Sequence, residues 1–264
     1  MTAPLRRFLE RVTRGAVFRR RLPADFAGAP LYVSPGAAGL AYLFKSMAAI
    51  DPMLLQCANL LVKPGDVLWD VGANVGLFTL AGAVRAGARG SVFAFEPDAW
   101  LVQLLRRTSA LQRDAVAPIT VIPAAVAGDV GFRSFSIARR SRASNALSEY
   151  GHGEMGGVGE RQVVPTFNLD WLLERWPRPD LIKIDVEGAE LEVLGGQSRL
   201  LHEVRPIFIC EIGKDNAAAV GAIFTGARYR MYAADRLREA KALPQAAWNT
   251  VAIPEEKHER LGLN

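Results

Sequence analysis

The chain has 264 residues, half of them hydrophobic and 22% charged, which is typical of a folded domain with one sizeable core and not of a disordered chain. No stretch approaches the roughly 18 uninterrupted apolar residues of a membrane span, and the N-terminus lacks the apolar run of a signal peptide. We therefore expect a cytoplasmic protein. Cys57 and Cys210 lie in apolar segments, which predicts buried thiols and no disulfide.

The net charge of +5 is concentrated at the N-terminus. Residues 1–21 carry seven arginines and one acid, which leaves 25 basic and 26 acidic residues in the remainder. A body that binds nucleic acid is expected to carry a basic face of its own. The near-neutral body therefore argues against a nucleic acid as partner.

Residues 4–20 have apolar side chains at helical spacing, which predicts an amphipathic helix with an arginine-rich polar face. Such a helix is suited to peripheral contact with an anionic membrane surface or to self-association. The alternative is a helix docked on the body with its arginines solvated. We accordingly divide the chain into an N-terminal basic helix and linker, residues 1–45, and a main domain, residues 46–264.

From residue 65 onward, short apolar runs typical of buried strands alternate with helical patterns. The predicted strands are Val67–Val71, Ser91–Phe95, Ile119–Ile122, Leu181–Val186 and Ile207–Ile212, and the predicted helices are Leu77–Arg85, Asp98–Leu111 and Ala189–Leu201. This alternation predicts an α/β fold with a mostly parallel sheet and helices on both faces. The tail segments Tyr229–Tyr232 and Thr250–Ile253 predict a terminal antiparallel pair. Residues 137–162 contain a glycine-dense run and predict a long irregular segment.

Acidic residues stand at the carboxyl end of four predicted strands. They are Asp70, Glu96, Asp185 and Glu211. Ligands of doubly wound sheets bind outside the carboxyl ends of the strands. Four acids on one edge therefore predict a polar binding site there.

The loop after the first of these strands, residues 70–76, indicates which ligand binds. Gly72 and Gly76 are four residues apart, whereas a dinucleotide loop needs three glycines at a different spacing. Asp70 precedes the first glycine, and a carboxylate there would repel a pyrophosphate but would suit the ammonium group of a methionine moiety. Glu96 ends the next strand, where a carboxylate can accept hydrogen bonds from both hydroxyls of a ribose. The glycines allow the chain to turn tightly beneath the ligand.

Four segments resemble the FkbM methyltransferase family, in the order in which that family has them. They are residues 70–80, Phe95–Pro97, Ala125–Gly128 and Lys183–Glu190, and the resemblance spans about residues 45–255. It implies a class I methyltransferase, Rossmann-like fold with a mostly parallel seven-stranded sheet in the main domain. It also implies S-adenosylmethionine as cofactor and O-methylation of a hydroxyl on a sugar, glycan or secondary metabolite.

The same resemblance implies a set of cofactor-binding residues. Asp70, Gly72, Asn74 and Gly76 would hold the methionine end, and Glu96 would bind the ribose. Backbone and apolar groups would lie along the adenine, contributed by Ala124, Ala125 and Val126.

A sugar hydroxyl is a poor nucleophile, so a general base is expected to accelerate its methylation. Asp185 is the first candidate because it ends the strand expected beside the cofactor strand, and Glu187 is the second. Lys183 would hold an acid ionised or orient the acceptor. Each candidate also has an alternative role. Asp185 would bind only the cofactor or cap a helix, and Glu187 would be a first-turn acid favoured by the helix dipole. Lys183 would be a structural ion-pair partner. His152 is a rival base.

Other assignments stay open at this stage. Oxygen ligands from Asp185, Glu187 and Glu211 would suit Mg²⁺, but the spacing is not specific to a metal, and we expect none. Two further functions fit the same sequence. One is a methyltransferase for an amine or protein acceptor, and the other is a non-catalytic scaffold localised by the N-terminal helix.

Overall fold

The computed structural model describes residues 12–13, 15–139, 141–150, 157–196 and 198–258. The strands are β1 (Phe18–Arg21), β2 (Pro30–Val33), β3 (Val67–Val71), β4 (Ser91–Phe95), β5 (Ile119–Ile122), β6 (Ala125–Val126), β7 (Gly131–Ala138), β8 (Ala146–Leu147), β9 (Val158–Phe167), β10 (Leu181–Ile184), β11 (Ile207–Glu211), β12 (Tyr229–Ala233), β13 (Ala242–Leu243) and β14 (Asn249–Pro254). The α-helices are α1 (Pro35–Ala38), α2 (Ala41–Phe44), α3 (Pro52–Leu61), α4 (Leu77–Ala86), α5 (Ala99–Ser109), α6 (Leu169–Leu173), α7 (Glu190–Leu194) and α8 (Ala217–Gly226). Short 3-10 helices cover Ala24–Phe26, Met47–Ala49, Arg142–Ser144, Ala234–Glu239 and Glu255–Lys257, and a π-helical turn covers Leu200–Val204.

The main sheet confirms the predicted α/β architecture. Its order is β13-β12-β14-β11-β10-β3-β4-β5, and the five strands from β11 to β5 run parallel. The tail forms the predicted antiparallel pair, β12 with β14, and β14 joins the sheet antiparallel to β11. The sheet has eight strands where seven were expected, because the two-residue β13 pairs with the outer edge of β12.

Alternate side chains of the central strands pack into two cores on opposite faces of the sheet. Leu68 on β3 packs with apolar residues of α3, α4 and α5. Its neighbour Trp69 packs with residues of α6, α7 and α8. Covering on both faces explains why these strands are continuous apolar runs.

The central position of β3 creates the switch point of the sheet. The chain runs from β3 through α4 to β4 and on to β5 on one side, whereas β10 and β11 lie on the other side of β3. The loops that leave β3 and β10 therefore diverge at the carboxyl edge and open a crevice between them.

The predicted helix Ala189–Leu201 is wrong as a single element. It divides into α7 and the π-helical turn at Leu200–Val204. Gly195 ends α7, and Gly196 has a φ of +78°, a left-handed conformation that a continuous helix cannot contain.

The predicted N-terminal helix is wrong at Phe18–Arg20. These residues belong to β1, which pairs antiparallel with β2. The hairpin packs on the body, because Leu31 and Val33 are fully buried in the same core as α3 and α4. Residues 12–13 are helical, whereas residues 4–11 and 14 of the predicted helix lie outside the described residues. The division at residue 45 stays a prediction.

A second, smaller sheet replaces part of the segment expected to be irregular. Its order is β6-β9-β7-β8, and β7 pairs antiparallel with β9 along most of its length. Residues 137–138 and 158–162 are therefore strand, which corrects the prediction for residues 137–162 at both ends. Phe135 and Ile137, separated by Ser136, have the period-2 spacing of one strand face and are buried in the same cluster. Residues 151–156, including His152, lie outside the described residues.

Two smaller expectations concern cysteines and membrane spans. Cys57 and Cys210 are buried free thiols, as predicted. Among the described residues, no helix has the length and apolar character needed to cross a bilayer.

Candidate active site

A pocket opens at the carboxyl edge of the main sheet, where the loops after β3, β4 and β10 meet. Eight of the eleven predicted site residues line it: Gly72, Asn74, Glu96, Ala124, Ala125, Val126, Asp185 and Glu187. The other three, Asp70, Gly76 and Lys183, lie next to it and support its walls. The fold thus brings together segments that are more than 100 residues apart in sequence.

The loop after β3 is held by backbone hydrogen bonds to the end of β4. The Gly72 and Ala73 N–H groups both donate to the Phe95 carbonyl, at 3.0 and 3.1 Å. Gly72 has a φ of +74°, and a Cβ there would lie 1.9 Å from the backbone oxygen of Asp185. Glycine is therefore required at position 72 both for its conformation and for the close approach of the β10 segment.

Gly76 supports the pocket from a distance. It precedes the first residue of α4 with a φ of +85°, and a Cβ there would lie 2.5 Å from the Leu105 side chain of α5. Glycine fits this position because the turn into α4 needs a left-handed φ and because the Leu105 side chain fills the space that a Cβ would occupy.

Glu96 is nearly fully buried at the end of β4, with 5% of its surface exposed. Its two carboxylate oxygens accept hydrogen bonds from the Asn74 N–H at 2.8 Å and the Asp98 N–H at 2.9 Å. Burial raises the pKa of Glu96 to about 7 against these hydrogen bonds, which lower it. The carboxyl group is thus anchored to the β3 loop and titrates near neutral pH.

Lys183 on β10 connects the two halves of the site. Its ammonium donates to the Gly72 carbonyl at 2.6 Å and lies 3.4 Å from Asp70 and 3.3 Å from Asp185. Burial alone would lower the pKa of Lys183, but the carboxylates of Asp185 and Asp70 outweigh burial and raise it. Lys183 is therefore a buried cation between two carboxylates.

Asp70 lies beneath the pocket and not along its wall. Its carboxylate is fully buried, and one oxygen accepts a hydrogen bond from the Thr79 hydroxyl at 2.5 Å while the other faces Lys183. Asp70 thus acts on the site through Lys183 and the loop above it.

Asp185 and Glu187 form the opposite wall. The Asp185 side chain is 30% exposed. Glu187 has a left-handed φ of +51° and is exposed as a whole, but its carboxyl group is crowded. Partial burial of this carboxyl group and the charges of Asp185, Glu211 and Glu190 raise the pKa of Glu187 to about 8.

The remaining wall comes from the smaller sheet, and the sequence patterns did not indicate it. Phe135 of β7 and Leu147 of β8 face the pocket together with Ala124–Val126. Arg142 and Asn145, from the segment between β7 and β8, also line it. Both were hidden inside the stretch expected to be irregular.

Arg142 and Asn145 are fixed by Asp98, a fully buried carboxylate. Arg142 forms an ion pair with Asp98, and the Asn145 amide donates to the same oxygen at 2.8 Å. The other Asp98 oxygen caps the N-terminus of α5 by accepting from the Trp100 N–H. The signal for Asp98 in the sequence is that of a helix N-cap, which gives no indication of its second role.

Metal binding stays untested. Within the described part of the chain, no cluster of three or more His, Cys, Asp or Glu side chains is arranged to hold a metal ion.

The chain is similar to known methyltransferases. The Methyltransferase FkbM domain matches residues 70–238. The chain is 32% identical over 146 residues to the hexuronic acid methyltransferase AglP of Haloferax volcanii, covering 54% of this chain and 55% of that protein. It is 30% identical over 169 residues to the methyltransferase sdnD of Sordaria araneosa, covering 53% and 62%. The chain thus spans little more than half the length of these curated relatives.

The chain is also similar to a solved structure. The crystal structure of the FkbM methyltransferase from Methylobacillus flagellatus KT is similar with a TM-score of 0.42 at 17% identity, over 75% of this chain and 49% of that one.

The matched residues contain both halves of the pocket. The β3 loop, the end of β4 and the β10 segment all lie between residues 70 and 238, and this region is an S-adenosylmethionine-dependent methyltransferase domain. The chain belongs to the FkbM methyltransferase family.

Proposed function

We propose that this chain is an S-adenosylmethionine-dependent O-methyltransferase that acts on a hydroxyl of a sugar, a glycan or a secondary metabolite. The observation that carries the proposal is the meeting of the β3 loop and the β10 segment around one pocket, joined by Lys183. One segment fits the cofactor and the other provides carboxylates for an acceptor hydroxyl.

The chemistry of the pocket fits the proposed cofactor. Three acidic residues, Glu96, Asp185 and Glu187, line it, and their ionised forms complement the positive charges of an ammonium and a sulfonium. Each Glu96 oxygen accepts one backbone N–H group, and a carboxylate has about four lone-pair sites. Glu96 therefore retains acceptor capacity for two ribose hydroxyls.

The remaining roles follow from position. Gly72 and Asn74 would contact the methionine end, while Asp70 and Gly76 would hold their loop in shape. The apolar wall at Ala124, Ala125 and Val126, with Phe135 and Leu147 beside it, would cover the adenine.

In catalysis, the chain has to align an acceptor hydroxyl and take up its proton. Asp185 is the proposed base, since its partly exposed carboxylate lies at the pocket wall and its position is set by the Lys183 ammonium. Lys183 would neutralise part of the negative charge of Asp70 and Asp185 in the empty and loaded states. Glu187 is the second candidate. When bound, the cofactor supplies a methyl group attached to a sulfonium sulfur. As the C–O bond to the acceptor forms, the C–S bond breaks and the sulfur remains in a neutral thioether.

The names of the curated relatives bear on the class of acceptor. AglP is named for a hexuronic acid, which is a sugar acid, and sdnD is named as a methyltransferase without an acceptor. The chain covers only about half of each relative, so their acceptors do not carry over directly. The name of AglP makes a sugar hydroxyl the first class of acceptor to test, followed by a metabolite hydroxyl.

The test has a binding part and a transfer part. We expect calorimetry to show binding of S-adenosylhomocysteine but not of nicotinamide dinucleotides, and Glu96→Ala to weaken this binding by about tenfold or more. Glu174→Ala, which removes an exposed acid on the surface, is the matched control and should bind normally. Unchanged binding of Glu96→Ala would overturn the ribose assignment.

Labelled S-adenosylmethionine and a screen of glycans and glycosylated metabolites would then identify the acceptor through the new methyl ether. Transfer to amines or proteins alone would contradict O-methylation, and cofactor binding without any transfer would favour the scaffold.

The arginine-rich N-terminus has a separate proposed role. Contact with an anionic membrane surface or with a second copy would involve residues before β1, since Phe18–Arg21 are paired with β2. Deleting residues 1–15 should abolish vesicle binding or self-association while the affinity for S-adenosylhomocysteine stays unchanged. Loss of both would show that the segment belongs to the folded domain.

A further inference from the structure

A second cleft adjoins the cofactor pocket on the side of β11 and β14. Asp185 borders both. Across the cleft from Asp185 lie Glu211 at the end of β11 and Asn249 at the start of β14, which are partners in the sheet register. Met53 and Leu54 of α3 provide an apolar side. A molecule in this cleft would therefore reach the cofactor pocket at the Asp185 carboxylate.

Trp248 adjoins two lining residues of this cleft, Glu211 and Asn249, and is unusually exposed for a tryptophan. It precedes Asn249, and 55% of its surface is accessible. Its position is nevertheless fixed, because its carbonyl accepts the Ile212 N–H at 2.7 Å and its indole hydrogen-bonds Glu211. A large flat apolar ring held beside polar groups is typical of a binding site for an amphipathic ligand.

The charges in the cleft restrict the ligand further. Asp51, Asp185 and Glu211 contribute three carboxyl groups. Lys183 is the one basic residue among the described lining residues, and its ammonium already contacts Asp70, Asp185 and the Gly72 carbonyl. A ligand carboxylate would meet like charges without a free cation. Carboxylate and amide groups can instead bind several hydroxyls.

Burial and the Asp185 charge raise the pKa of Glu211 to about 7, while Lys183 and the Trp248 hydrogen bond lower it. Glu211 is thus partly ionised at neutral pH, and Asp51 is held by the Leu54 N–H that it caps. The cleft therefore combines hydrogen-bond donors and acceptors with a net negative character.

We infer that this cleft is the acceptor subsite and that it takes an uncharged pyranose ring, stacked on Trp248 with hydroxyls toward Asp185, Glu211 and Asn249. The inference rests on the proposed function and narrows its substrate class. It also separates this chain from a relative named for a hexuronic acid, because a uronic acid carboxylate would be repelled here.

The probes are matched pairs of 4-nitrophenyl glycosides that differ only at C6: glucoside against glucuronide and galactoside against galacturonide, with the mannoside as a further neutral ring. They are titrated into the full-length protein with saturating S-adenosylhomocysteine, and binding is followed by saturation-transfer NMR. We expect at least one neutral glycoside to bind about tenfold or more tightly than its uronide. Glu211→Gln should reduce that ratio.

Trp248→Ala should weaken binding of the neutral glycoside by about tenfold or more, and Trp248→Phe should retain most of it. Phe132→Ala removes another exposed aromatic, on the outside of the smaller sheet with 77% of its surface accessible, and should change nothing. All variants should bind S-adenosylhomocysteine as the native protein does.

Three results would overturn the inference: no neutral glycoside binds, a uronide binds better than its neutral partner, or Trp248→Ala binds as tightly as the native protein. Failure of the proposed function gives a different result. In that case S-adenosylhomocysteine does not bind, and titration of the glycosides into the free protein still decides whether the cleft binds a sugar.

Discussion

The two sides of the active site are built differently. On the proposed cofactor side, Glu96 and most of the β3 loop are buried, and their polar groups are held by backbone hydrogen bonds and by Lys183. On the acceptor side, Glu187 and Trp248 are exposed, and Asp185 and Glu211 are partly exposed. If the two sides have the proposed roles, the cofactor side depends mainly on backbone geometry and the acceptor side on individual side chains at the rim.

Because Asp185 lies on the acceptor side, its loss should lower the rate of methyl transfer and leave cofactor binding nearly unchanged. We expect Asp185→Asn to lower kcat by about 10²–10⁴-fold, the usual contribution of a general base, while the affinity for S-adenosylhomocysteine changes little. Single-turnover transfer to the acceptor found in the screen measures this. Glu187→Gln is the matched control with a smaller expected loss, and a larger loss in that variant would make Glu187 the base.

Substitution of Lys183 tests whether its ammonium connects the two sides energetically, since it contacts Asp70 on one side and Asp185 on the other. Lys183→Met leaves Asp70 buried without its cation and should cost about 3–5 kcal/mol in the free energy of unfolding, measured by chemical denaturation. Adding Asp70→Asn should recover part of the loss, because the uncompensated charge is then removed. Additive losses in the double variant would mean that the two groups do not interact.

Gly72 tests the backbone geometry of the cofactor side. Gly72→Ala should cost about 2–4 kcal/mol and abolish cofactor binding, because its Cβ would collide with the Asp185 backbone. Gly28→Ala is the matched control, since Gly28 has a similar φ of +58° but open space around it. It should cost only about 1 kcal/mol and leave binding intact. Equal losses in both variants would refute the close-approach argument.

The smallest expected effect is on pH dependence. Because the pKa of Glu96 is raised to about 7, its ionised form increases as the pH rises from 6 to 8, and the affinity for S-adenosylhomocysteine should increase up to about tenfold. The effect of Glu96 on the free energy of unfolding has the opposite pH dependence. The stabilisation is present when the pH is below the ordinary pKa of a glutamate, and it is lost as the pH rises through about 7. Glu96→Gln should flatten the binding profile. A native profile without this rise would remove Glu96 from the ribose contact.

The parts of the molecule that sequence patterns identify are those defined by local rules. The strands β3, β4 and β5 begin and end where the apolar runs do, and β3 and β4 are buried on both faces. The spacing of two glycines indicates the β3 loop. The structure explains the glycine at position 72, because a Cβ there would collide with the Asp185 backbone. The apolar run and the acid at its end predict the β10 strand and Asp185, and the resemblance to a known family extends the segment to Glu190.

The parts that were missed depend on contacts between distant segments. Arg142 and Asn145 enter the pocket only because Asp98, over 40 residues earlier, binds both. Trp248 has no local signal at all, and its importance follows from the pairing of β11 with β14. The strand β1 was taken for a helix because a short amphipathic pattern does not reveal a distant partner strand.

The contact of Gly72 with the Asp185 backbone has a consequence for how such an enzyme can change its substrate. The spacing between the donor loop and the proposed base is fixed by main-chain packing, so it is the same for every acceptor. Residues around Trp248 lie outside that contact and can be exchanged without disturbing it. A designer who wishes to redirect methylation should therefore graft the start of β14 and leave the junction of β3 and β10 untouched.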